Sequence, residues 1–270
     1  MTDTDPYPAL TEARNTWRYS PADGALSGRT ILVTGAGSGL GAATARSAAL
    51  YGANVVLLGR TRQKLEAVFD WIEAHTATQP VIVPCDLAEL DPDAVAALNE
   101  AITGTYDGLH GIVHCASLLG AKTPLVHYPP DEWQRVMQVN ANAPFLLNRG
   151  LFGLLDATAD SAVIHVSSTV GREGRAYWGA YSASKFALEG ISQILADETE
   201  TAGRIRVYSV NPGGTRTPMR AAAYPMEDPE TVPTPEARMD LMLYLLEGAA
   251  EGKTLPAQGA QLDARDWQPL

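Results

Sequence analysis

The stretch TILVTGAGSGLG, at residues 30–41, decides the fold because a short apolar run passes directly into a cluster of glycines. The run at residues 30–34 has the composition of a strand that is buried on both faces. The Ala-rich segment 40–51 that follows predicts a helix. A glycine-rich turn between such a strand and such a helix is typical of dinucleotide-binding sites, because free N–H groups at the helix N-terminus bind phosphate.

The glycines of this turn have separate expected roles. Gly35 permits the tight turn, Gly39 lets the backbone approach a pyrophosphate, and Gly41 allows the helix to pack closely. We expect contacts with a dinucleotide from these three residues and from Ser38 and Leu40. The alternative is that the glycines only form a tight turn, and the flanking strand and helix disfavour it.

Strand-like and helix-like segments alternate along the rest of the chain. Further strands are predicted at 54–58, 80–84, 111–115, 162–166, 204–210 and near 258–262, and helices at 62–75, 92–102, 131–155, 181–201 and 236–248. Within the long helix, Pro144 predicts an irregularity. This alternation predicts the α/β class, with a Rossmann-type doubly wound parallel sheet that has helices on both faces in a single domain. Ligands bind such sheets at the carboxyl ends of the strands.

Three regions of the chain are expected to differ in character. Residues 1–27 contain three prolines and no sustained periodicity, so we expect a partly flexible N-terminal extension that docks on the domain or on a neighbouring subunit. Residues 28–270 form the dinucleotide-binding and catalytic domain. Within it, the Pro- and Met-rich segment 213–235 predicts a mobile loop over the substrate.

The charge and the cysteine content exclude several classes of function. The net charge of -11 argues against general binding of nucleic acid or of an anionic membrane surface, because both depend on Lys and Arg. The 2 cysteines, Cys85 and Cys115, and the 5 scattered histidines lack metal-ligand spacing, so no metal and a reducing compartment are expected. Neither a secretory signal nor an apolar run of about 20 residues is present, so the expected location is cytoplasmic.

The end of the second predicted strand bears on the choice of dinucleotide. An acidic residue there would bind the adenosine ribose and repel a 2′-phosphate. This chain instead has Arg60 and Thr61, which can bind a 2′-phosphate through an ion pair and a hydrogen bond. The sequence therefore favours NADP(H) over NAD(H). The alternative is that Arg60 is a solvated loop residue.

A second group of polar residues predicts acid–base chemistry. Tyr181 and Lys185 are four residues apart, so they share a helix face, and a neighbouring ammonium is expected to lower the phenol pKa. Ser168 follows the strand at 162–166, at the carboxyl edge of the sheet. Asn140 is a polar residue in an otherwise apolar helical stretch. Each has a structural alternative, namely an exposed helix face, a strand-end turn or a helix kink, but their joint occurrence favours an active site.

Together these motifs resemble the short-chain dehydrogenase/reductase family from about residue 29 to about residue 263. The resemblance is carried by TGAGSGLG at 34–41, Asp86, Asn140, Ser168, the Tyr181–Lys185 pair and Asn211-Pro212-Gly213. The stretches GREGRAYWGAYSASK at 171–185 and PGGTRTPMR at 212–220 look like a bacterial subgroup that is commonly labelled 3-oxoacyl-acyl-carrier-protein reductase. Family members are usually homotetramers or homodimers that pair through the helix before residue 162 and the helix of Tyr181.

The resemblance implies a role for each matching residue. Tyr181 would be the general acid/base, Ser168 would orient the substrate carbonyl, and Lys185 would bind the nicotinamide ribose and lower the Tyr181 pKa. Asn140 would hold a water that connects Lys185 to solvent. The residues implied to line the adenine pocket are Asp86 and Leu87, and those implied to cover the nicotinamide are Pro212, Gly213, Thr215 and Thr217.

The chain departs from the family pattern at two places. After the fourth strand, the usual Asn-Asn-Ala-Gly-like motif is replaced by His114-Cys115-Ala116-Ser117, which bears on local rigidity and cofactor affinity. Near the C-terminus, Leu262-Asp263-Ala264-Arg265 replaces an Asp-Gly-Gly-like motif, which bears on subunit packing.

The leading hypothesis is therefore an NADPH-dependent oxidoreductase that acts on a small carbonyl or alcohol substrate. The first alternative is a non-catalytic NAD(P)-binding regulator or scaffold, which the altered stretch 114–117 favours and the complete set of catalytic residues disfavours. An epimerase or dehydratase is disfavoured because those family branches usually have a longer C-terminal region. Four arginines are expected near the rim of the site, where they would bind an anionic substrate or pair with carboxylates: Arg172, Arg175, Arg216 and Arg220.

Overall fold

A seven-stranded parallel sheet lies at the centre of the computed structural model, which describes residues 7–269. The strands are β1 Thr30–Thr34, β2 Asn54–Gly59, β3 Val81–Pro84, β4 Gly111–His114, β5 Ser161–Val166, β6 Ile205–Asn211 and β7 Gln261–Asp263. Their order is β3-β2-β1-β4-β5-β6-β7, and every neighbouring pair is parallel. The order reverses between β1 and β4, where a crevice opens at the carboxyl ends. The predicted doubly wound Rossmann-type fold is confirmed.

Helices cover both faces of the sheet, which explains why its central strands are apolar without alternation. The helices are α1 Pro8–Arg14, α2 Gly39–Leu50, α3 Arg62–His75, α4 Pro92–Thr105, α5 Pro130–Met137, α6 Ala143–Ala157, α7 Gly179–Glu200, α8 Pro218–Ala223 and α9 Met239–Glu247. The side chains of Ile31, Leu32 and Val33 in β1 are completely buried. Ile31 and Val33 belong to the core under α2, α3 and α9, whereas Leu32 belongs to the core under α4, α6 and α7.

The long helix predicted at 131–155 is interrupted. A π-helical turn at Gln138–Asn142 separates α5 from α6. Pro144 is the second residue of α6; it has no N–H to donate, and in a regular helix its ring would clash with the carbonyl of Asn140. The expected irregularity therefore lies just before the proline, where the helical ladder widens by one residue.

The segment between β6 and α9 is more regular than the expected mobile loop at 213–235. It contains α8 and a 3₁₀ turn at Pro229–Thr231, and the N–H of Arg216 donates to the carbonyl of Pro233 at 2.8 Å. The helix predicted at 236–248 starts later than expected, at Met239, because a 3₁₀ turn at Pro235–Arg238 precedes it.

The described part of the N-terminal extension, residues 7–27, packs on the domain. The Tyr7 hydroxyl donates to a carboxylate oxygen of Glu236 at 2.8 Å, and the Trp17 indole donates to the Glu236 carbonyl at 3.0 Å. Leu10 and Leu26 are buried in the core under α2 and α9. Residues 1–6 of the predicted extension lie outside the described residues. Within residues 7–269, no helix has the length and apolar character that crossing a membrane requires.

Candidate active site

A cleft of about 430 Å³ lies at the carboxyl edge of the sheet, within the usual size range of small-molecule sites. It is formed by the segments that follow β1, β2, β3, β4, β5 and β6. The residues predicted from the sequence that line it are Gly35, Ser38, Gly39, Leu40, Gly41, Arg60, Thr61, Asp86, Leu87, Ser168, Tyr181, Lys185, Pro212, Gly213, Thr215 and Thr217.

The glycine turn brings α2 directly onto the end of β1. Gly35 has a φ of +67°, and a Cβ atom at Gly41 would lie only 2.3 Å from the Gly35 carbonyl oxygen. A side chain at Gly41 would therefore force the helix away from the strand. Ser38 caps α2 without a side-chain hydrogen bond, so the first N–H groups of the helix remain available for an anion in the cleft.

Two cations, Arg60 and Lys64, follow β2 in the cleft, and the sequence pattern predicted only Arg60. Arg60 and Thr61 line the cleft as predicted, and Lys64 in the first turn of α3 lines it as well. The nearby Arg62 points elsewhere and forms an ion pair with Glu66 at 2.8 Å. The spacing in the sequence could have identified Lys64, because this residue lies four positions after Arg60 and within the first turn of α3. Among the residues that line the cleft, Asp86 carries the only carboxylate, and it accepts from the N–H of Ala88 at 3.0 Å.

Asn140 is the one predicted site residue that does not line the cleft. Its side chain is completely buried in the π-helical turn between α5 and α6. The amide donates to the Leu118 carbonyl at 2.9 Å and to Ser184 Oγ at 3.0 Å, and it accepts from the Leu118 N–H at 2.7 Å. These bonds use both amide hydrogens, so the side chain connects the loop after β4 to α7. A direct contact between this side chain and a cofactor does not fit that arrangement.

Tyr181 and Ser168 lie side by side where α7 faces the carboxyl end of β5. Tyr181 is almost completely buried in the first turn of α7. Burial raises the pKa of its phenol above the ordinary 10, and a hydrogen bond with Ser168 opposes that shift. The net shift is upward because desolvation of the phenol is the largest contribution, and the predicted lowering of this pKa by Lys185 stays a prediction. The phenol therefore keeps its proton at neutral pH.

Lys185 is buried below Tyr181. Its Nζ donates to the Val166 carbonyl at 2.8 Å and lies 5.6 Å from the centre of the Tyr181 ring. Burial lowers the pKa of this ammonium to about 8, although the neighbouring Cys115 and Glu189 oppose the shift. Lysine and tyrosine are thus both shifted toward their neutral forms by the same desolvation.

Hydrogen bonds to β1 and α6 hold the stretch His114–Ser117 in place. His114 Nε2 pairs with Asn148 Oδ1 at 2.8 Å, and Asn148 Nδ2 pairs with His165 Nε2 at 3.0 Å. The two imidazole rings stack with their centres 5.0 Å apart, and burial lowers the pKa of His114 to about 4. The N–H of Ala116 donates to Thr34 Oγ1 at 3.1 Å. Neutral histidines therefore connect β4, α6 and β5.

Aromatic residues and α8 form the other end of the cleft. The Trp178 ring centre lies 5.7 Å from that of Tyr181 and 5.9 Å from that of Tyr224. Met219, Arg220, Ala223 and Tyr224 from this region also line the cleft, and no pattern in the sequence singled out three of them: Met219, Ala223 and Tyr224.

The four arginines expected at the rim have different positions. Of the four, only Arg220 lines the cleft. Arg172 forms an ion pair with Glu189 at 2.9 Å, and Arg216 forms one with Glu230 at 3.0 Å, as the structural alternative predicted. Arg175 donates weakly to the Tyr224 hydroxyl at 3.5 Å.

Comparisons with known proteins agree on one family. The profile of short chain dehydrogenases matches residues 29–228. The uncharacterised oxidoreductase YciK of Escherichia coli K12 is 45% identical over 236 residues, which are 87% of this chain and 93% of that protein. A short-chain dehydrogenase from Shigella flexneri 2a, solved in complex with NADP, is 43% identical and has a TM-score of 0.85 over 90% of this chain and 100% of that chain. Another from Escherichia coli CFT073, in complex with NADPH, is 44% identical and has a TM-score of 0.86 over 91% and 100%.

A Lys185→Met variant tests the burial of the ammonium. Between the folded pKa of about 8 and the ordinary 10.5, the unfolded chain binds more protons than the folded one. Relative to Lys185→Met, the wild-type free energy of unfolding should therefore rise with pH across this window, by at most a few kcal/mol since one pKa unit corresponds to about 1.4 kcal/mol. Urea denaturation at several pH values measures the difference. Parallel pH dependences would contradict the shift, and exposed Lys122→Met is the control.

Proposed function

The chain belongs to the short-chain dehydrogenase family, as predicted, and we propose that it is an NADPH-dependent reductase of a small carbonyl compound. One observation carries this proposal. The hydroxyls of Ser168 and Tyr181 and the ammonium of Lys185 meet in a cleft that also contains a phosphate-binding turn and the cations after β2. A 3-oxoacyl group is one candidate for the carbonyl compound, on sequence resemblance alone.

The residues around the cleft fit NADP(H) better than NAD(H). Arg60, Thr61 and Lys64 would bind the 2′-phosphate, and the N-terminus of α2 would bind the pyrophosphate. The similar proteins from Shigella flexneri and Escherichia coli were solved with NADP and NADPH, respectively. Asp86 and Leu87 would line the adenine pocket. The residues that would cover the nicotinamide are Pro212, Gly213, Thr215 and Thr217.

The residues of the chain supply proton transfer and orientation, and bound NADPH would supply the hydride to the carbonyl carbon. Tyr181 donates its phenolic proton to the carbonyl oxygen as negative charge develops there. Because burial raises the pKa of Tyr181 above 10, the phenol holds its proton at neutral pH and can act as the donor in reduction. Ser168 donates a second hydrogen bond to the same oxygen. The Lys185 ammonium below Tyr181 stabilises the phenolate that remains.

Asn140 acts as a positioning residue in this scheme. Its bonds to Leu118 and Ser184 connect the cleft wall after β4 to the helix that carries Tyr181 and Lys185. Both amide hydrogens of the Asn140 side chain are engaged, so a water that returns a proton to Lys185 would donate to an oxygen of Asn140, either Oδ1 or the backbone carbonyl.

A Tyr181→Phe variant tests the general acid. Removing the hydroxyl deletes the proton donor but keeps the ring, so NADPH oxidation with a carbonyl substrate should fall by about 100-fold or more, the usual contribution of acid–base catalysis. NADPH affinity, measured by calorimetry, should stay within a few-fold of wild type. Equal turnover by the variant would contradict the role of Tyr181. Cofactor binding by wild type without turnover over a broad carbonyl and alcohol panel would favour the non-catalytic regulator or scaffold.

An Arg60→Gln variant tests the choice of cofactor. Loss of the guanidinium should weaken NADPH binding by about tenfold or more, equivalent to ~1.4 kcal/mol, and leave NADH binding unchanged. Arg62→Gln is the matched control, because Arg62 is exposed and pairs with Glu66 outside the cleft. Calorimetric titration with both cofactors provides the comparison. An equal loss for NADH and NADPH would show that Arg60 does not recognise the 2′-phosphate.

The outer faces of α6 and α7 support the proposal of a homodimer or homotetramer. The large apolar side chains exposed on these helices, by 39–60%, are Phe145, Phe152, Phe186 and Ile194. Apolar surface of this kind would be covered by a subunit contact. A double variant Phe152→Glu/Phe186→Glu should dissociate the assembly, as measured by light scattering. Met226→Glu is the control, because Met226 is exposed on the substrate loop instead. A wild-type monomer would overturn the proposal.

The cytoplasmic location stays a prediction.

A further inference from the structure

The cleft beyond Tyr181 has an apolar wall with a single charged group. Trp178, Met219, Ala223 and Tyr224 supply aromatic and aliphatic surface. Arg220, in the middle of α8, is the only charged residue of the cleft lining that lies on this wall. The other charged lining residues lie after β2 and β3 or, in the case of Lys185, below Tyr181.

The guanidinium of Arg220 is held in a defined position. Its Nε and Nη2 donate to the two carboxylate oxygens of Glu227, both at 2.6 Å. Its central carbon lies 3.8 Å from the centre of the Tyr224 ring, so the planar group stacks on that ring. A guanidinium has five N–H donors, and Glu227 uses only two of them. N–H donors of the guanidinium therefore remain for a further anion.

Glu227 holds the arginine without closing the site. The Glu227 side chain is partly exposed, at 27%, and ion pairs in contact with solvent contribute little to stability. Glu227 is also absent from the lining of the cleft, so it approaches the guanidinium from the outer side. A substrate anion beside the aromatic wall would be shielded from water and would form stronger charge-assisted hydrogen bonds than Glu227 does.

A second cation adds positive potential at this end of the cleft. Lys122 Nζ donates to the Ala223 carbonyl at 2.8 Å, at the end of α8. The same ammonium lies 4.8 Å from the centre of the Trp178 ring and 4.9 Å from that of Tyr224. Because Glu227 already pairs with Arg220, Lys122 supplies the additional positive charge beside the two aromatic rings, and this charge would attract an anion.

We infer that the substrate of this reductase carries an acidic group, a carboxylate or a phosphate, that Arg220 binds. An apolar or aromatic segment between that group and the carbonyl packs on Trp178 and Tyr224. The inference rests on the proposed reductase function and specifies its substrate class. The alternative ligand for this guanidinium is the cofactor itself. The guanidinium carbon of Arg220 lies 3.6 Å from the position that a Cβ atom at Gly214 would occupy. Gly214 follows Gly213, which is one of the residues expected to cover the nicotinamide.

The test compares benzoylpropionate with its methyl ester, which lacks the negative charge and carries one additional methyl group. Affinity of each for the complex of the protein with NADP⁺ is measured by calorimetry, so the result does not depend on turnover. Wild type should bind the acid at least about tenfold more tightly than the ester, equivalent to ~1.4 kcal/mol. Arg220→Gln should remove that preference by weakening the acid alone. Glu227→Gln should strengthen binding of the acid, because it removes a competing carboxylate.

The controls separate this inference from its alternatives. Arg216→Gln changes an arginine of the same loop that pairs with Glu230 and does not line the cleft, so the acid preference should persist. Equal binding of acid and ester by wild type, or a preference that survives Arg220→Gln, would overturn the inference. A loss of NADP⁺ affinity in Arg220→Gln, measured without either ketone, would assign the arginine to the cofactor instead. NADPH oxidation with neutral ketones tests the reductase function separately.

Discussion

The close contact between the end of β1 and the first turn of α2 is the constraint on which the rest of the site depends. With a Cβ at Gly41 only 2.3 Å from the Gly35 carbonyl oxygen, the helix can approach the strand only if that residue is glycine. This approach aims the uncapped N–H groups of α2 into the crevice between β1 and β4. Thr34 then binds the backbone of Ala116, so the loop after β4 is tied to the same turn.

Burial shifts the pKa values of Tyr181 and Lys185 in opposite directions. The same low-dielectric surroundings raise the pKa of Tyr181 and lower that of Lys185 to about 8. At neutral pH the phenol thus keeps its proton while the ammonium still carries charge, which is the combination that carbonyl reduction needs. The neutral His114–Asn148–His165 chain adds no competing charge near Lys185, because burial lowers the pKa of both histidines.

The two ends of the cleft divide recognition between them. The end after β2 carries Arg60 and Lys64 beside the helix N-terminus, which suits phosphates. The end under α8 carries aromatic surface with Arg220, which suits an apolar molecule with one acidic group. In this acidic chain, with a net charge of -11, both ends of the cleft are therefore lined by cationic side chains.

Local residue patterns alone predicted the Rossmann-type sheet, the glycine turn, the position of Arg60 after β2 and the grouping of Ser168, Tyr181 and Lys185. Strand and helix periods and the order of polar residues at strand ends are properties of neighbouring positions in the chain. Only the tertiary structure decided how Asn140 is used, which way the Tyr181 pKa shifts, and which of four arginines faces the cleft. Those outcomes depend on burial and on partners that are distant in the chain. Leu118 is such a partner of Asn140, and Glu189 is the partner that forms an ion pair with Arg172. Desolvation and long-range pairing arise only once the chain has folded, so no local pattern records them.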